Sequence, residues 1–371
     1  MKYLNYLNNF WITRLCVEIN NGHNKIIKIL IKELKKNYKT IIKGVSNETG
    51  IKEKWLELEL KDALFALKYL PIQAQGILKE KRVDVPKYDK EGFMDFIPKG
   101  KVLQILPSST PILSCVLLPF CASLSGNNVI VKPSSKSKYI SRFIQKILDN
   151  NRYERVIFKN GKGEKFLYSL IKDVDFVFYM GGRKIGKSIE VFCCDEDIEF
   201  LGEFEGNDWA IVLDGDVEEI GNQISENVLF KEGKDCDSIK GVLVKNELYS
   251  KMKSILKKKM GNILNKNPSK KDIINPEFRS SLWIKKIDTL EEAIELTKLN
   301  EHGLGISIFD RNNKRALDLA KRLNFARTII NSDTLDINPL IPWGGIKKTS
   351  YGGAEYWVNK FVNKRLIEIK K

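Results

Sequence analysis

The sequence predicts an α/β protein, with a doubly wound parallel sheet in its first half and a second α/β series after it. The length of 371 residues is enough for two to three domains of about 150 residues each. From Val102 onward the apolar pattern changes from a helical period to short continuous runs, and helical stretches of about 10 to 15 residues separate those runs. This alternation is typical of βαβ units, whose strands are buried on both faces.

The first half is predicted to open with helices and to continue with buried strands. Residues 23–44 and 51–80 carry apolar side chains at the helical period. The apolar runs that follow are predicted strands: 102–105, 128–131, 155–158 and 175–179. Residues 105–124 are apolar enough to suggest a membrane span, but three prolines and four serines favour a buried strand, loop and helix. We therefore expect no membrane partner.

A second series of strands and helices begins near Trp209. Its strands are predicted at 209–213, 241–244, 282–284, 305–309 and 328–331, and its helices at 217–230, 247–260, 290–299 and 314–323. Residues 262–276, rich in lysine, asparagine and proline, are predicted as a loop. A ligand cleft is expected where the two series join, near residues 202–206. The final segment, 361–371, is typical of an edge strand that pairs within its own chain or with a partner subunit.

Charge and cysteine usage exclude several classes of function. The chain has 63 Lys+Arg against 47 Asp+Glu, a net charge of +16, but its lysines are scattered in twos and threes. Scattered lysines favour solvated faces, so we expect no nucleic-acid partner. The six cysteines lack CxxC spacing and only two histidines accompany them, so we expect no metal site. Residues 1–5 lack the apolar run of a signal peptide, which favours a cytoplasmic location.

A glycine cluster follows one predicted strand. Gly181, Gly182 and Gly186 lie after the apolar run 175–179 and at the start of a helix. There, backbone N–H groups and the helix dipole can meet a pyrophosphate. The spacing is not G-x-G-x-x-G, so on these residues alone a tight strand-to-helix turn remains the alternative.

Several motifs occur in a characteristic order along the chain. They are PKGKVLQILP at 98–107, GNNVIVKP at 126–133, YMGGRKIG at 179–186, EFEG at 203–206, GKDC at 233–236, Asn331 after a strand, and PWGGIK at 342–347. Together they resemble the aldehyde dehydrogenase family over roughly residues 50–371.

The resemblance implies a fold and a domain order. It implies a Rossmann-type cofactor domain plus a second α/β catalytic domain. Residues 1–205 would form the helical entry and the NAD(P)-binding domain, and 206–340 the catalytic domain with the nucleophilic cysteine. Residues 341–371 would return to the cofactor domain and end in an oligomerisation strand, which implies a homodimer or homotetramer.

The resemblance also implies a reaction, the oxidation of an aldehyde to a carboxylate through a thiohemiacetal and a thioester. Cys236 matches the nucleophile and Glu203 matches the base that activates water. Ser109 stands where the family usually has an asparagine that donates to the oxyanion. Around Cys236, Asp235 and Asp237 disfavour a thiolate, whereas the lysines at 231, 234 and 240 favour it, and the sequence leaves open which set faces the sulfur.

The cofactor residues follow from the same resemblance. Lys132 matches the lysine that contacts the cofactor ribose, and Gly181, Gly182 and Gly186 match the pyrophosphate turn. Where many NAD-preferring members carry an acid, this chain has Ser135 followed by Lys136, so NADP is at least as plausible a cofactor as NAD. The family's Glu-x-Phe contact to the nicotinamide ribose appears as Pro276-Glu277-Phe278, with the acid one place out of register.

Two alternative functions remain open at this point. The first is an acylating aldehyde dehydrogenase or a reductase of acyl-CoA or acyl phosphate, with coenzyme A as a candidate co-substrate. The second is an inactive superfamily subunit, motivated by Ser109 and the displaced Glu277. For the aldehyde oxidation described above and for the acylating alternative, the substrate is a small aldehyde or acyl compound, whose identity the motifs do not give.

Overall fold

The computed structural model describes residues 22–83, 90–266, 268–274 and 278–370. Within them the chain divides into two compact units. The first comprises the chain up to Met180, Ser188–Leu201 and the chain from Glu355 onward; the second comprises Gly181–Lys187 and Gly202–Ala354.

The elements alternate along most of the chain. The helices are α1 (Asn24–Lys36), α2 (Tyr38–Thr49), α3 (Glu53–Ile77), α4 (Pro111–Leu124), α5 (Lys138–Asn150), α6 (Glu164–Ile171), α7 (Arg183–Asp195), α8 (Val217–Leu229), α9 (Asn246–Met260), α10 (Lys270–Ile274), α11 (Leu290–Thr297) and α12 (Asn313–Ala320). The strands are β1 (Lys81–Val83), β2 (Lys90–Pro98), β3 (Lys101–Ile105), β4 (Asn128–Lys132), β5 (Val156–Phe158), β6 (Phe176–Met180), β7 (Glu199–Glu203), β8 (Asp208–Val212), β9 (Ile239–Lys245), β10 (Leu264–Asn265), β11 (Leu282–Ile287), β12 (His302–Gly303), β13 (Gly305–Phe309), β14 (Arg327–Ile330), β15 (Ile346–Lys347) and β16 (Val362–Lys370).

The first unit is built on a five-stranded sheet in the order β5-β4-β3-β6-β7. The central strand β3 pairs in parallel with β4 and β6, and Val102 lies opposite both Val129 and Phe176. Helix α4 is buried on every side, as its uniformly apolar sequence requires. The prediction of a buried strand, loop and helix for residues 105–124 is confirmed. In the described part of the chain, no helix is both long and apolar enough to cross a membrane.

The second unit is built on a six-stranded parallel sheet in the order β10-β11-β9-β8-β13-β14. Successive residues of β8 face opposite sides, as in any strand. Ala210 packs in one apolar cluster with α8 and α9, and Trp209 packs in the other with α11 and α12. Helices therefore cover both faces, and the predicted α/β class with parallel sheets is confirmed.

Two predictions of local structure are wrong. The helix predicted at 23–44 is divided at Asn37, whose side-chain amide donates to the Glu33 carbonyl (2.9 Å) and ends α1. The loop predicted at 262–276 contains β10 and α10. Asp272 accepts the Ser269 N–H (2.8 Å) in a local capping turn that starts α10.

The predicted terminal strand pairs within its own chain. Strand β16 runs antiparallel to β2, from Val362 opposite Pro98 to Lys370 opposite Lys90. Together with β1 they form a three-stranded sheet in which β16 is an edge strand.

Candidate active site

A strained turn carries Cys236 to the amino end of β9. Lys231, Glu232 and Gly233 follow α8 with φ values of 44°, 59° and 68°, in the left-handed region. For the two non-glycine residues this conformation costs about 1–3 kcal/mol each, and such strain is concentrated at functional sites. Gly233 is required as well, since a Cβ there would lie 2.5 Å from the Arg279 carbonyl carbon.

Two carboxylates lie beside the sulfur of Cys236. Its Sγ is 3.4 Å from Asp237 Oδ2 and 3.7 Å from Asp235 Oδ1, and the residue remains partly exposed. Burial, followed by the charges of Asp237 and Asp235, raises the pKa of the Cys236 thiol well above its usual value. Burial and the two carboxylates therefore favour the protonated thiol over the thiolate.

Positive charges around the turn are bound to other groups. The Lys231 ammonium pairs with Asp235 (3.3 Å), the Lys234 ammonium pairs with Glu232, and the Lys240 ammonium donates to the carbonyls of Gly233 (2.6 Å) and Arg279 (3.1 Å). Asp237 is held by Arg327, whose guanidinium lies 2.9 Å from Asp237 Oδ1. Of the two sets of charges weighed from the sequence, the carboxylates are the ones in contact with the sulfur.

Sequence reasoning missed Asp208 and Arg327. Asp208 is fully buried at the start of β8, where its Oδ1 accepts the Gly305 N–H (2.9 Å). Burial, followed by the charge of Asp237, raises the pKa of Asp208. A signal for both residues existed in the sequence, because each immediately precedes a predicted strand. The amino ends of neighbouring parallel strands lie on the same side of a sheet, so residues at those positions come close together.

Glu203 lies on the segment that packs against the Cys236 turn. It ends β7, is 1% exposed, and its carbonyl accepts the Gly181 N–H (3.0 Å). Gly206, three residues later, touches the turn directly, since a Cβ there would lie 2.2 Å from the Cys236 carbonyl oxygen. The structure thus brings the predicted base and the predicted nucleophile into adjacent segments of the same unit.

The N–H groups of Gly181 and Gly186 bond to backbone carbonyls, and the anion contact at this turn is made by the Arg183 N–H. Gly181 and Gly182 precede α7, and Gly186 lies buried in its first turn, where its N–H donates to the Gly182 carbonyl (3.0 Å). At the N-terminus of α7, both carboxylate oxygens of Glu205 accept the Arg183 N–H at 2.7 Å. The anion at this position is therefore a side chain of the protein itself.

The remaining predicted residues of the first unit follow the carboxyl ends of its strands. Ser109 is half-buried in the loop between β3 and α4. Lys132 is the last residue of β4, and burial lowers the pKa of its ammonium group. Ser135 lies exposed in the turn after β4. Ligands of doubly wound sheets bind at this edge.

Phe278 is 44% exposed in the second unit. The backbone of the next residue, Arg279, packs against Gly233, so Phe278 lies one residue from a contact with the turn that precedes Cys236. Glu277, the displaced acid of the sequence analysis, lies outside the described residues.

A family model described as the aldehyde dehydrogenase family matches residues 22–276 and 263–367. The chain belongs to the aldehyde dehydrogenase family. It is therefore an oxidoreductase that acts on aldehydes, and the predicted family, fold and enzyme class are confirmed.

Other aldehyde dehydrogenases are similar over nearly their whole length. The lactaldehyde dehydrogenase of Methanococcus maripaludis strain S2 is 24% identical, over 96% of this chain and 92% of the relative. The lactaldehyde dehydrogenase of Methanocaldococcus jannaschii is 23% identical, over 100% of this chain and 91% of the relative.

Solved aldehyde dehydrogenase structures share the fold. An NAD-dependent aldehyde dehydrogenase from Sinorhizobium meliloti has a TM-score of 0.85 and 17% identity, over 97% of this chain and 86% of that chain. Betaine aldehyde dehydrogenase from Staphylococcus aureus, in complex with NAD+, has a TM-score of 0.82 and 18% identity, over 94% of this chain and 82% of that chain.

Among the residues that the structure describes, one side-chain group in this aldehyde dehydrogenase has the spacing of metal ligands. Asp235, Cys236 and Asp237 each offer a ligand atom within 4.8 Å of the others. Both carboxylates already have cationic partners, since Lys231 pairs with Asp235 and Arg327 pairs with Asp237.

Proposed function

We propose that this protein oxidises an aldehyde to a carboxylate through a thiohemiacetal and a thioester on Cys236. The position of Cys236 carries the proposal, because this partly exposed residue follows a left-handed turn and its backbone packs against the segment of Glu203. Cys115, Cys121 and Cys193 are fully buried, as inert cysteines usually are.

The raised pKa of Cys236 means that the thiol proton needs an acceptor. Asp237 Oδ2, at 3.4 Å, is within reach, and Arg327 holds the other oxygen of that carboxyl group. In the proposed first step the sulfur bonds to the aldehyde carbon while the thiol proton moves to Asp237. In the last step water attacks the thioester carbonyl, the C–S bond breaks, and the thiol is regenerated. Glu203 is the proposed base for that water, and Ser109 the proposed donor to the oxyanion.

A nicotinamide dinucleotide, when bound, supplies the hydride acceptor. The N-terminus of α7 fits a phosphate, because the Arg183 N–H there already holds a carboxylate. We assign the pyrophosphate to Gly181, Gly182 and Gly186, a ribose contact to Lys132, and nicotinamide contact to Phe278. In this proposal residues 1–205 bind the cofactor, residues 206–340 carry the chemistry, and 341–371 complete the cofactor domain.

NAD and NADP are both proposed as cofactors. Ser135 and Lys136 are exposed after β4, and a lysine in place of an acid tolerates a 2′-phosphate. Lys136→Glu should weaken NADPH binding while leaving NADH binding unchanged. A variant that binds both dinucleotides as the wild type does would remove Lys136 from the site.

The proposed substrate is a small aldehyde such as lactaldehyde. This choice rests on the lactaldehyde dehydrogenases that are similar over nearly the whole chain. Glu203, the proposed base for water, favours hydrolysis of the thioester over acyl transfer to coenzyme A.

A stopped-flow burst of NAD(P)H absorbance, with a panel of aldehydes and with or without coenzyme A, tests the reaction. Turnover without coenzyme A is the expected result. Turnover only with coenzyme A would replace hydrolysis by acyl transfer. No burst with any aldehyde, from protein shown to bind NAD(P)H, would support the inactive-subunit alternative.

Self-association as a homodimer or homotetramer is proposed through β16. This edge strand exposes Leu366 (53%), Ile367 (37%) and Ile369 (38%). Exposed apolar edges of this kind pair readily with another chain. A protein ending at Val362 should sediment as a smaller species than the full chain, with the helical circular dichroism retained. An unchanged sedimentation coefficient would contradict the proposal.

A further inference from the structure

Glu205 lies where a bound phosphate would be expected. Its two oxygens are each 2.7 Å from the Arg183 N–H, at the first residue of α7. Glu205 Oε1 also lies close to the glycine turn, since a Cβ on Gly182 would be 3.1 Å from it. The side chain therefore covers the backbone that the proposed function assigns to the cofactor pyrophosphate.

Hydrogen bonds fix the segment on which Glu205 lies. The Glu205 carbonyl accepts a hydrogen bond from Thr349 Oγ1 (3.0 Å), and the Phe204 N–H donates to the Thr349 carbonyl (2.7 Å). Hydrogen bonds to Thr349 thus hold the segment on both sides of the Phe204–Glu205 peptide. The Glu205 carboxylate is therefore held in place by its own backbone and by its hydrogen bonds to α7.

The α7 turn is fastened to the same region. The Arg183 guanidinium donates to the Lys348 carbonyl (2.7 Å) and lies 5.3 Å from the centre of the Phe204 ring. Glu205 and the Arg183 N–H are therefore held opposite each other through contacts on both partners.

A carboxylate and a phosphate compete for this position. The N-terminus of a helix attracts anions through its unpaired N–H groups and its partial positive charge. The Arg183 N–H cannot serve both anions at full strength, and two like charges at one helix end repel each other. A dinucleotide that binds here must displace the Glu205 carboxylate and separate it from its own phosphates.

We propose that Glu205 is an internal competitor of the cofactor phosphate and thereby sets the affinity of the enzyme for its dinucleotide. The inference rests on the proposed function, because it takes the α7 turn as the pyrophosphate position. It assigns Glu205 a role in cofactor affinity, separate from the chemical steps at Cys236.

Titration of the full-length protein with NADH and with NADPH, followed by nucleotide fluorescence, tests the inference. Glu205→Gln removes the charge and keeps an oxygen that can accept the Arg183 N–H. We expect this variant to bind both dinucleotides about tenfold more tightly. Glu205→Ala should bind more tightly as well, and it keeps the test valid if the glutamine variant folds poorly.

Asp216→Asn is the matched control. Asp216 caps α8 in the same unit by accepting the N–H groups of Glu218 (2.9 Å) and Glu219 (3.3 Å). It makes the same acid-to-amide change at another helix end, so the dinucleotide affinity should stay at the wild-type value.

The failures of the two proposals are distinguishable. If the wild type binds dinucleotide and the Glu205 variants bind it equally, Glu205 is only a helix cap and the inference is overturned. If the variants bind it more weakly, Glu205 is a cofactor ligand, which also overturns the inference. If neither the wild type nor the variants bind NADH or NADPH, the cofactor assignment fails and takes the inference with it.

Discussion

The two parallel sheets differ in which end of their strands carries the polar residues of the candidate sites. In the first unit, Ser109 and Lys132 follow or occupy the carboxyl ends of β3 and β4. In the second unit, Asp208, the Cys236 turn and Arg327 lie at the amino ends of β8, β9 and β14. The two candidate sites therefore lie at opposite ends of the strands that carry them.

The difference is electrostatic. A segment that leaves the carboxyl end of a strand enters the N-terminus of a helix, which is partly positive and suits phosphates. At the amino end of β9 the nearby charges belong to side chains, because Asp235 and Asp237 lie beside the Cys236 sulfur. Burial and these two carboxylates raise the pKa of the Cys236 thiol, which under the proposed mechanism gives up its proton only during the reaction.

Replacing the thiol at the amino edge should have the largest effect. Cys236→Ser should lower turnover about 10³-fold or more, because a hydroxyl at this edge is a far weaker nucleophile than a thiol. Dinucleotide binding, assigned to other residues, should be unchanged. Cys194→Ser, at an exposed cysteine, is the control and should turn over as the wild type does. Equal turnover in the Cys236 variant would remove this residue from the mechanism.

Removing the Arg327 guanidinium, which lies at the amino end of β14, should chiefly lower the free energy of unfolding. Arg327→Gln leaves Asp237 buried beside two other acids without its guanidinium, which should lower the free energy of unfolding by about 3–5 kcal/mol. Urea unfolding measures the loss. Arg322→Gln, which breaks the exposed pair with Glu291, should cost no more than about 1 kcal/mol. Equal losses in the two variants would mean that the buried cluster has no special electrostatic weight.

The reactivity of Cys236 should depend on pH in the direction that its raised pKa sets. Because a raised pKa lowers the fraction of thiolate at pH 7, alkylation by iodoacetamide should be slower at that pH than for an unperturbed thiol. The rate should keep rising beyond pH 9. Mass spectrometry of the Cys236 peptide follows the reaction, and a rate that levels off below pH 8 would contradict the electrostatic account.

The carboxyl edge of the first sheet should show the smallest effect. Lys132→Met should weaken NAD(P)H binding about tenfold, the size expected for one charge-assisted hydrogen bond. Lys101→Met changes an exposed lysine at the amino end of β3 in the same sheet and should leave binding unchanged. A similar loss of NAD(P)H affinity in both variants would indicate a general effect of positive charge, with no difference between the two ends of the strands.

The alternation of strands and helices could be predicted from the sequence because burial on both faces leaves a continuous apolar run. Strand β13, predicted at 305–309, has those bounds in the structure. The break at Asn37 and the start of α10 could not be predicted, because each depends on one local side-chain hydrogen bond inside a uniform composition.

A candidate site could be proposed from the sequence where a residue type suggests the chemistry. Cys236 and Glu203 stand out as such, and the structure brings their segments together. Which charges face the sulfur could not be predicted, since Arg327 is far from Asp237 in sequence and comes near it only through the pairing of strands. The contact of Glu205 with the α7 turn was hidden for the same reason.

The pairing of β16 with β2 bears on how the chain is made. Strand β2 is complete once Pro98 leaves the ribosome, but its partner begins at Val362. At about 5–20 residues per second, the edge of β2 waits roughly 13 to 50 s for β16. Meanwhile Gly202–Ala354, which lies between them and forms most of the second unit, is synthesised in full. The nascent first unit therefore carries an unpaired edge while the second unit folds, and that interval is when a holding chaperone would be of most use to this chain.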